Sequence, residues 1–267
     1  MIMMKDASAV LVKKELKGAY VRFTLESPGI AREALPGQFV MVRVSETGHP
    51  LLRRPLGIHA RRGTTISLFF NIAGLGTELL SRKQEGDRLD LLGPLGRGFS
   101  LGPPVQQAEN SDLLVGGGRG IAPLYFLADE LHRAGHKVRV LYGARTSQDI
   151  PFKDFFQAAC WETIFATDDG SFGFRGFVTL LLQQELEKKG IGRLYACGPD
   201  SMLKEVGRLA ALQGVPAELS LEARMGCGFG ACWGCVKKIR RRGREEWLKI
   251  CEEGPVFQAE EVAWDEG

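Results

Sequence analysis

The sequence predicts a multidomain β plus α/β protein. An antiparallel β-barrel is expected over 1–102, an open, parallel α/β domain over 111–218, and a small cysteine-bearing module over 219–267. Three observations predict this order. Short alternating apolar runs, separated by glycine and proline turns, fill the N-terminal part. Strand-like and helix-like segments then alternate, as in a sheet crossed by helices. Near the end, four of the six cysteines gather in one pattern.

In the first part, runs at 9–16, 20–26, 38–44, 56–60, 65–70 and 88–92 read as strands. Turns at Pro28-Gly29, Pro36-Gly37, Thr47-Gly48-His49-Pro50 and Arg62-Gly63 separate them at the short intervals of a small barrel. A polar, irregular stretch over 101–111 marks a linker. Beyond it, strands at 112–115, 137–142, 161–166, 193–197 and 218–221 alternate with helices at 122–134, 176–189 and 199–213. The tail holds the cysteine loop, a hairpin and little else.

Length and charge exclude several classes. With 267 residues there is room for two domains, or one and a half plus an appendage. A net charge of +3 is too small to imply nucleic-acid binding. No apolar run is long enough to span a membrane. The start, Met1-Ile2-Met3-Met4-Lys5-Asp6, lacks a secretory apolar region and meets an acid at once. Cysteines kept for a metal cluster point to the cytoplasm.

Cys227, Cys232 and Cys235, completed by Cys251, form a C-x4-C-x2-C…C pattern, the plant-type spacing for a [2Fe–2S] cluster. Gly226, Gly228, Gly230 and Gly234 let the loop curl and bring N–H groups near the sulfides. Structural zinc ranks second, because zinc modules present two paired knuckles and Cys251 has no near neighbour. Disulfides rank third. A chain built around such a cluster moves electrons one at a time.

The run Leu113 to Leu124 passes from a strand into a helix through Gly116, Gly117, Gly118, Arg119 and Gly120, with Pro123 suited to the helix's first turn. Such an elbow lets a dinucleotide pyrophosphate approach N–H groups at a helix start. Cys197-Gly198-Pro199 forms a second elbow at another strand end, and both face one crevice. Cys197 is either poised at the mouth of that site or a small buried thiol. Arg145 and Ser147 could accept a 2′-phosphate, so the NAD/NADP choice stays open, and Asp168 to Ser171 rim the nucleotide site. In the barrel, Arg53-Arg54 suits bidentate phosphate recognition. Asn71-Ile72-Ala73-Gly74-Leu75-Gly76-Thr77 gives a glycine turn, a Thr cap and a short helix. Beside a cluster and a nucleotide sheet, a flavin is the missing part, since it exchanges one electron or two.

The order of these segments resembles the ferredoxin–NADP reductase superfamily. The tail, from Ser220-Leu221-Glu222-Ala223-Arg224-Met225 through the cysteines to Cys251-Glu252-Glu253-Gly254-Pro255, is similar to electron-transfer subunits of NAD-dependent dihydroorotate dehydrogenase. The resemblance implies that Cys227, Cys232, Cys235 and Cys251 hold the cluster. Arg54, Pro55, Leu56 and Gly57, with Asn71, Ile72, Ala73, Gly76 and Thr77, would contact FAD. Gly116, Gly117, Gly118, Gly120, Cys197, Gly198 and Pro199 would frame NAD. The implied partner is an FMN-containing dihydroorotate dehydrogenase catalytic subunit, in a heterotetramer of two of each. Electrons would run from dihydroorotate through FMN, cluster and FAD to NAD+, in pyrimidine (UMP) biosynthesis. No side chain is expected to act as acid, base or nucleophile; catalysis is positioning.

Three positions depart from the family's pattern. Gly57 stands where a Ser or Thr is usual, no tyrosine stands at Leu56, and Arg119 replaces a small or aliphatic residue. Arg119 either adds a phosphate contact or faces solvent. The basic run Lys237, Lys238, Arg240, Arg241, Arg242 and Arg244 reads first as a solvated hairpin turning at Gly243, and second as a docking surface. Cys160, His49, His59, His132 and His136 receive no role. The rival readings are a related FAD/[2Fe–2S] oxidoreductase subunit of a hydrogenase or sulfide/ferredoxin oxidoreductase complex, and a redox or metal sensor on the same fold.

Overall fold

The computed structural model describes residues 4–103, 111–188 and 190–264. Most of the expected linker, 104–110, lies outside the described residues, as do the chain start and position 189.

Six strands, β1 (Met4–Lys17), β2 (Tyr20–Glu26), β3 (Phe39–Val42), β4 (Arg54–Arg62), β5 (Thr65–Asn71) and β6 (Arg88–Leu95), close a barrel in the order β1-β2-β5-β4-β3-β6. Every neighbouring pair is antiparallel. Strict alternation explains β2: Val21, Phe23 and Leu25 are fully buried while the residues between them are not. The expected turn at Pro28-Gly29 is instead the start of a helix, α1 (Pro28–Glu33). Proline suits its first position, and buried Ile30 and Ala31 plug one end of the barrel. The short helix after Asn71 is α2 (Leu75–Ser81). Thr77 lies inside its first turn rather than at the cap: its hydroxyl accepts the N–H groups of Ala73 at 2.9 Å and Gly74 at 3.3 Å.

Strands β7 (Ser111–Gly117), β8 (Val138–Ala144), β9 (Glu162–Thr167), β10 (Phe174–Arg175), β11 (Ile191–Cys197) and β12 (Ala217–Ser220) are joined through α3 (Ile121–Arg133), α4 (Lys153–Gln157), α5 (Val178–Glu187) and α6 (Asp200–Gln213). The tail adds a hairpin of β13 (Val236–Arg241) and β14 (Arg244–Lys249), then α7 (Ile250–Glu253) and β15 (Val256–Gln258). The sheet order is β10-β9-β8-β7-β11-β12-β15, parallel except for β15, which runs antiparallel to β12. The tail therefore holds more than the hairpin expected: it contributes the sheet's last strand. β7 and β11 are parallel neighbours from which the chain winds outward in opposite directions, β8 to β10 on one side and β12 on the other, so a crevice opens beyond their carboxyl ends, where Gly116 sits opposite Cys197.

Barrel and sheet meet along α3. Nδ1 of His59 lies 2.9 Å from the Ala122 carbonyl, Arg61 pairs with Glu130 at 3.0 Å, Arg62 pairs with Asp129, and the Tyr20 hydroxyl donates to Asp149 at 2.9 Å. Phe39 and Met41 of β3 join Leu219, Ile250 and the two tail cysteines 235 and 251 in one buried cluster. That shared core fixes the cysteine loop against both barrel and sheet.

Candidate electron-transfer site

The cysteine loop leaves β12, carries Cys227, Cys232 and Cys235, and enters β13; the hairpin then returns the chain so that α7 presents Cys251. The Ile250 N–H donates to the Cys235 carbonyl at 3.0 Å, seating α7 beside the third cysteine. All six cysteines are free thiols, so none is spent on a disulfide. The four of the motif fall into two contacting pairs, Cys227 with Cys232 and Cys235 with Cys251. Among the described residues, no three His, Cys, Asp or Glu side chains converge to seat one ion. Two pairs of thiols fit a two-iron cluster better than a single tetrahedral ion.

Backbone donors point at these sulfurs, as a sulfide cluster needs. The Gly230 N–H lies 3.1 Å from Cys251 Sγ, and the Cys251 N–H 3.4 Å from Cys235 Sγ. Partial burial opposes ionisation of Cys227, but the N–H groups of Phe229, Cys232 and Ala231 and the Cys232 thiol outweigh it and bring it down to about 7. Burial pushes Cys251 up to about 12, and its bond to Cys235 adds to that. The loop geometry requires glycine at two places. Gly228 has φ +83°, and a Cβ there would lie 2.6 Å from Met41 Sδ; Gly230 has φ +90°, and its Cβ would lie 2.7 Å from a Glu252 oxygen. Lys249 ties the loop together, donating to the Gly230 carbonyl at 2.8 Å and sitting 5.0 Å over the Trp233 ring. The basic run forms the hairpin, turning at Arg242-Gly243. Lys237 pairs with Asp200, Arg240 with Glu245 at 2.9 Å and Arg241 with Glu253 at 3.2 Å.

Two adjoining cavities lie between barrel and sheet. The smaller, about 290 Å³, is lined by Arg54, Pro55, Leu56, Gly57, Asn71, Ala73 and Thr77 from the barrel, by Cys197 from the sheet and by Met225 from the tail. The Arg54 guanidinium lies against the start of α2, where a Cβ on Gly76 would come within 2.7 Å of its Cζ. Gly76 thus serves the cavity from behind, and Ile72 turns away to pack on the barrel core. Cys197, expected at the mouth of the nucleotide crevice or as a small buried thiol, is a buried thiol that lines the smaller cavity and not the nucleotide crevice. Burial pushes it up to about 12, with the charge of Glu222 adding and a hydrogen bond from Ser220 opposing.

The larger crevice, about 780 Å³, is lined by Gly117, Gly118, Gly120 and Pro199, with Arg145 and Asp168 at its far end. Gly116 and Gly198 do not line it. They are pressed instead against Ile121 and Met202, where a Cβ would be 2.6 and 2.5 Å from those side chains. Gly120 lets the two elbows touch, since its Cβ would stand 2.6 Å from the Gly198 nitrogen. Arg145 faces Asp149 at 3.4 Å, and the Ser147 N–H is taken by the Ser171 hydroxyl at 2.8 Å. Arg119 reaches across to the barrel, donating to Asn71 at 2.9 Å. Glu222, which no local pattern marks as a site residue, lines both cavities together with Asn71 and Arg119.

Comparison with known proteins places this geometry. Residues 222–263 match the iron–sulfur cluster binding domain of dihydroorotate dehydrogenase B, and residues 114–208 match an oxidoreductase NAD-binding domain. The dihydroorotate dehydrogenase B (NAD+) electron transfer subunit of Desulforamulus reducens is 44% identical, over 92% of this chain and 92% of its own length. That of Geobacillus thermodenitrificans is 42% identical over 97% and 98%. The chain belongs to this family of dihydroorotate dehydrogenase B electron-transfer subunits. A solved NADH-dependent reduced ferredoxin–NADP oxidoreductase, described for flavin-based electron bifurcation, superposes with a TM-score of 0.83 at 33% identity, over 98% of this chain and 91% of that one. The family's two halves, barrel and nucleotide sheet, are thus present with the tail module in the order the sequence predicts.

Proposed function

We propose that this chain passes electrons from a dihydroorotate-oxidising catalytic subunit to NAD+, in pyrimidine biosynthesis, with a [2Fe–2S] cluster, FAD and NAD as its cofactors. One observation carries the reading: Met225, two positions before Cys227, lines the smaller cavity, and that cavity shares Asn71, Arg119 and Glu222 with the larger crevice. The two cavities therefore adjoin, and the cysteine loop begins two residues beyond the wall of the smaller one. In this reading Cys227, Cys232, Cys235 and Cys251 hold the cluster. The 54–57 segment, Asn71, Ala73 and Thr77 hold FAD, with Gly76 behind Arg54 and Cys197 on the far wall, and Gly117, Gly118, Gly120 and Pro199 frame NAD, with Gly116 and Gly198 packed behind them. FAD supplies exchange of one electron or two when bound. The chain itself positions and shields: buried Phe39 and Phe69 wall the smaller cavity, and Cys197 stays a neutral thiol at physiological pH, so no nucleophile is offered.

We assign the domains as 1–102, 111–218 and 219–267. The partner is an FMN-containing catalytic subunit, two of each chain. Exposed Phe229, Trp233 and Trp247 beside the cysteines support a docking face there. Free thiols support a cytoplasmic place. The hydrogenase and sulfide/ferredoxin alternatives are not favoured, because the curated relatives carry the dihydroorotate dehydrogenase name. The test is Cys232→Ser: the cluster's paramagnetic and visible signals should disappear while NADH still bleaches FAD. Loss of flavin reduction in a folded variant would show that the two redox sites are not separate. Co-purification should bring down an FMN-containing dihydroorotate dehydrogenase.

A further inference from the structure

The arginines that join barrel to sheet are paired with acids: Arg61 with Glu130 and Arg62 with Asp129. Arg119 is not. Its Nη1 donates to the neutral amide oxygen of Asn71 at 2.9 Å, and among the described residues no carboxylate pairs with it. It is exposed, in the glycine-rich turn between β7 and α3. Asn71, Arg119 and Glu222 are the three residues that line both cavities. The Arg119–Asn71 bond therefore crosses the passage through which a nicotinamide must pass to meet a flavin, since hydride transfer needs the reacting atoms within about 3–3.5 Å.

We propose that Arg119 is a nucleotide-positioning residue that leaves Asn71 for the pyrophosphate of the incoming dinucleotide and thereby opens this passage. The inference rests on the function assigned above. A charge-assisted bond to phosphate is roughly twice as strong as one to a neutral amide, so the pyrophosphate outcompetes Asn71. The exchange happens at an exposed side chain and disturbs no core packing. Glu222 gives the passage one negative wall. That wall keeps the pyrophosphate on the Arg119 side and favours entry of the nicotinamide ring, which is cationic in NAD+.

The test is calorimetric binding of ADP-ribose, the dinucleotide without its nicotinamide, to flavin-replete protein. Arg119→Ala should weaken ADP-ribose binding about tenfold, the worth of one hydrogen bond to a charged group. Arg119→Lys should recover part of that, because it keeps the charge without the planar fork. Asn71→Ala should instead tighten binding, because the competing bond is gone. A residue that merely braces barrel to sheet would respond with the same sign in R119A and N71A. Unchanged ADP-ribose affinity in R119A, or weakened affinity in flavin-replete N71A, overturns the proposal. Failure of the unmodified protein to bind ADP-ribose or NADH at all would overturn the functional reading instead.

Discussion

The contact between Gly228 and Met41 is where the barrel touches the cluster loop, and it yields a measurable coupling. Gly228 sits at φ +83°, and an added Cβ would stand 2.6 Å from Met41 Sδ and 3.1 Å from its Cε, in a side chain that is wholly buried. Gly228→Ala thus meets two costs. The left-handed backbone costs about 1–2 kcal/mol for a residue with a Cβ, and overpacking against a side chain that cannot retreat adds roughly 1–3 kcal/mol. Met41→Ala alone should cost about 2–5 kcal/mol through its cavity. In the double variant the overpacking vanishes, because the new methyl occupies space that Met41 has left. The double variant should therefore be more stable than the sum predicts by about 1–3 kcal/mol. Denaturant unfolding followed by flavin fluorescence gives the energies, and iron with acid-labile sulfide per chain gives cluster retention. Retention should fall in G228A and recover in the double variant. Additivity within about 0.5 kcal/mol, with no recovery, would refute the claim that the barrel backs the cluster loop.

Three other perturbations test separate parts of the molecule. Gly76→Ala should push the Arg54 guanidinium off the start of α2 and lower FAD affinity about tenfold, read as flavin retained on desalting; full retention would remove Arg54 from the flavin site. Asp112 is buried between His136 at 2.5 Å and Arg193 at 2.9 Å, so Asp112→Asn should destabilise by about 3–5 kcal/mol in denaturant unfolding, and a loss under about 1 kcal/mol would contradict a buried charge network there. His59 is fully buried at the barrel–sheet seam, and burial holds its imidazole down at about 4, against 6.5 when free. The unfolded chain then takes up a proton that the fold refuses. Stability from this group is complete above pH 6.5 and is lost as pH falls towards 4, about 3 kcal/mol in all. The thermal midpoint of His59→Phe should lose this slope between pH 6.5 and 4; an unchanged slope would assign the acid sensitivity elsewhere.

Much of the fold could be read from the chain because its elements follow local rules. The alternation in β2 and the apolar runs of β7 and β11 are periodicities that burial imposes directly. The elements that escaped are those whose reason is distant. Pro28 serves equally as a turn residue and as the first residue of a helix, and only the open barrel end beneath Ile30 decides for α1. Two short helices, α4 and α7, and the two-residue β10 are too brief to show a period. The three-residue β15 exists because β12 offers it an unpaired edge.

The site divides the same way, between what a motif marks and what only packing decides. A glycine-rich elbow announces a turn, yet it does not say which of its glycines faces the ligand. Gly117, Gly118 and Gly120 line the crevice, whereas Gly116 is a glycine because Ile121 packs on it, and Gly198 because Met202 does. Ile72 is similar: it lies between two cavity residues, Asn71 and Ala73, but extended backbone alternates its sides, so it faces the barrel core. Glu222 shows the converse. One glutamate in Ser220-Leu221-Glu222 carries no local signature, and its importance comes from where β12 ends. Because β12 pairs beside β11, the chain leaving it crosses directly over the mouth of the smaller cavity before it reaches the first cysteine. Met225 stands on the cavity wall five residues after β12 ends, and Cys227 follows two residues later, so the sheet order itself sets how near the cluster loop lies to the smaller cavity.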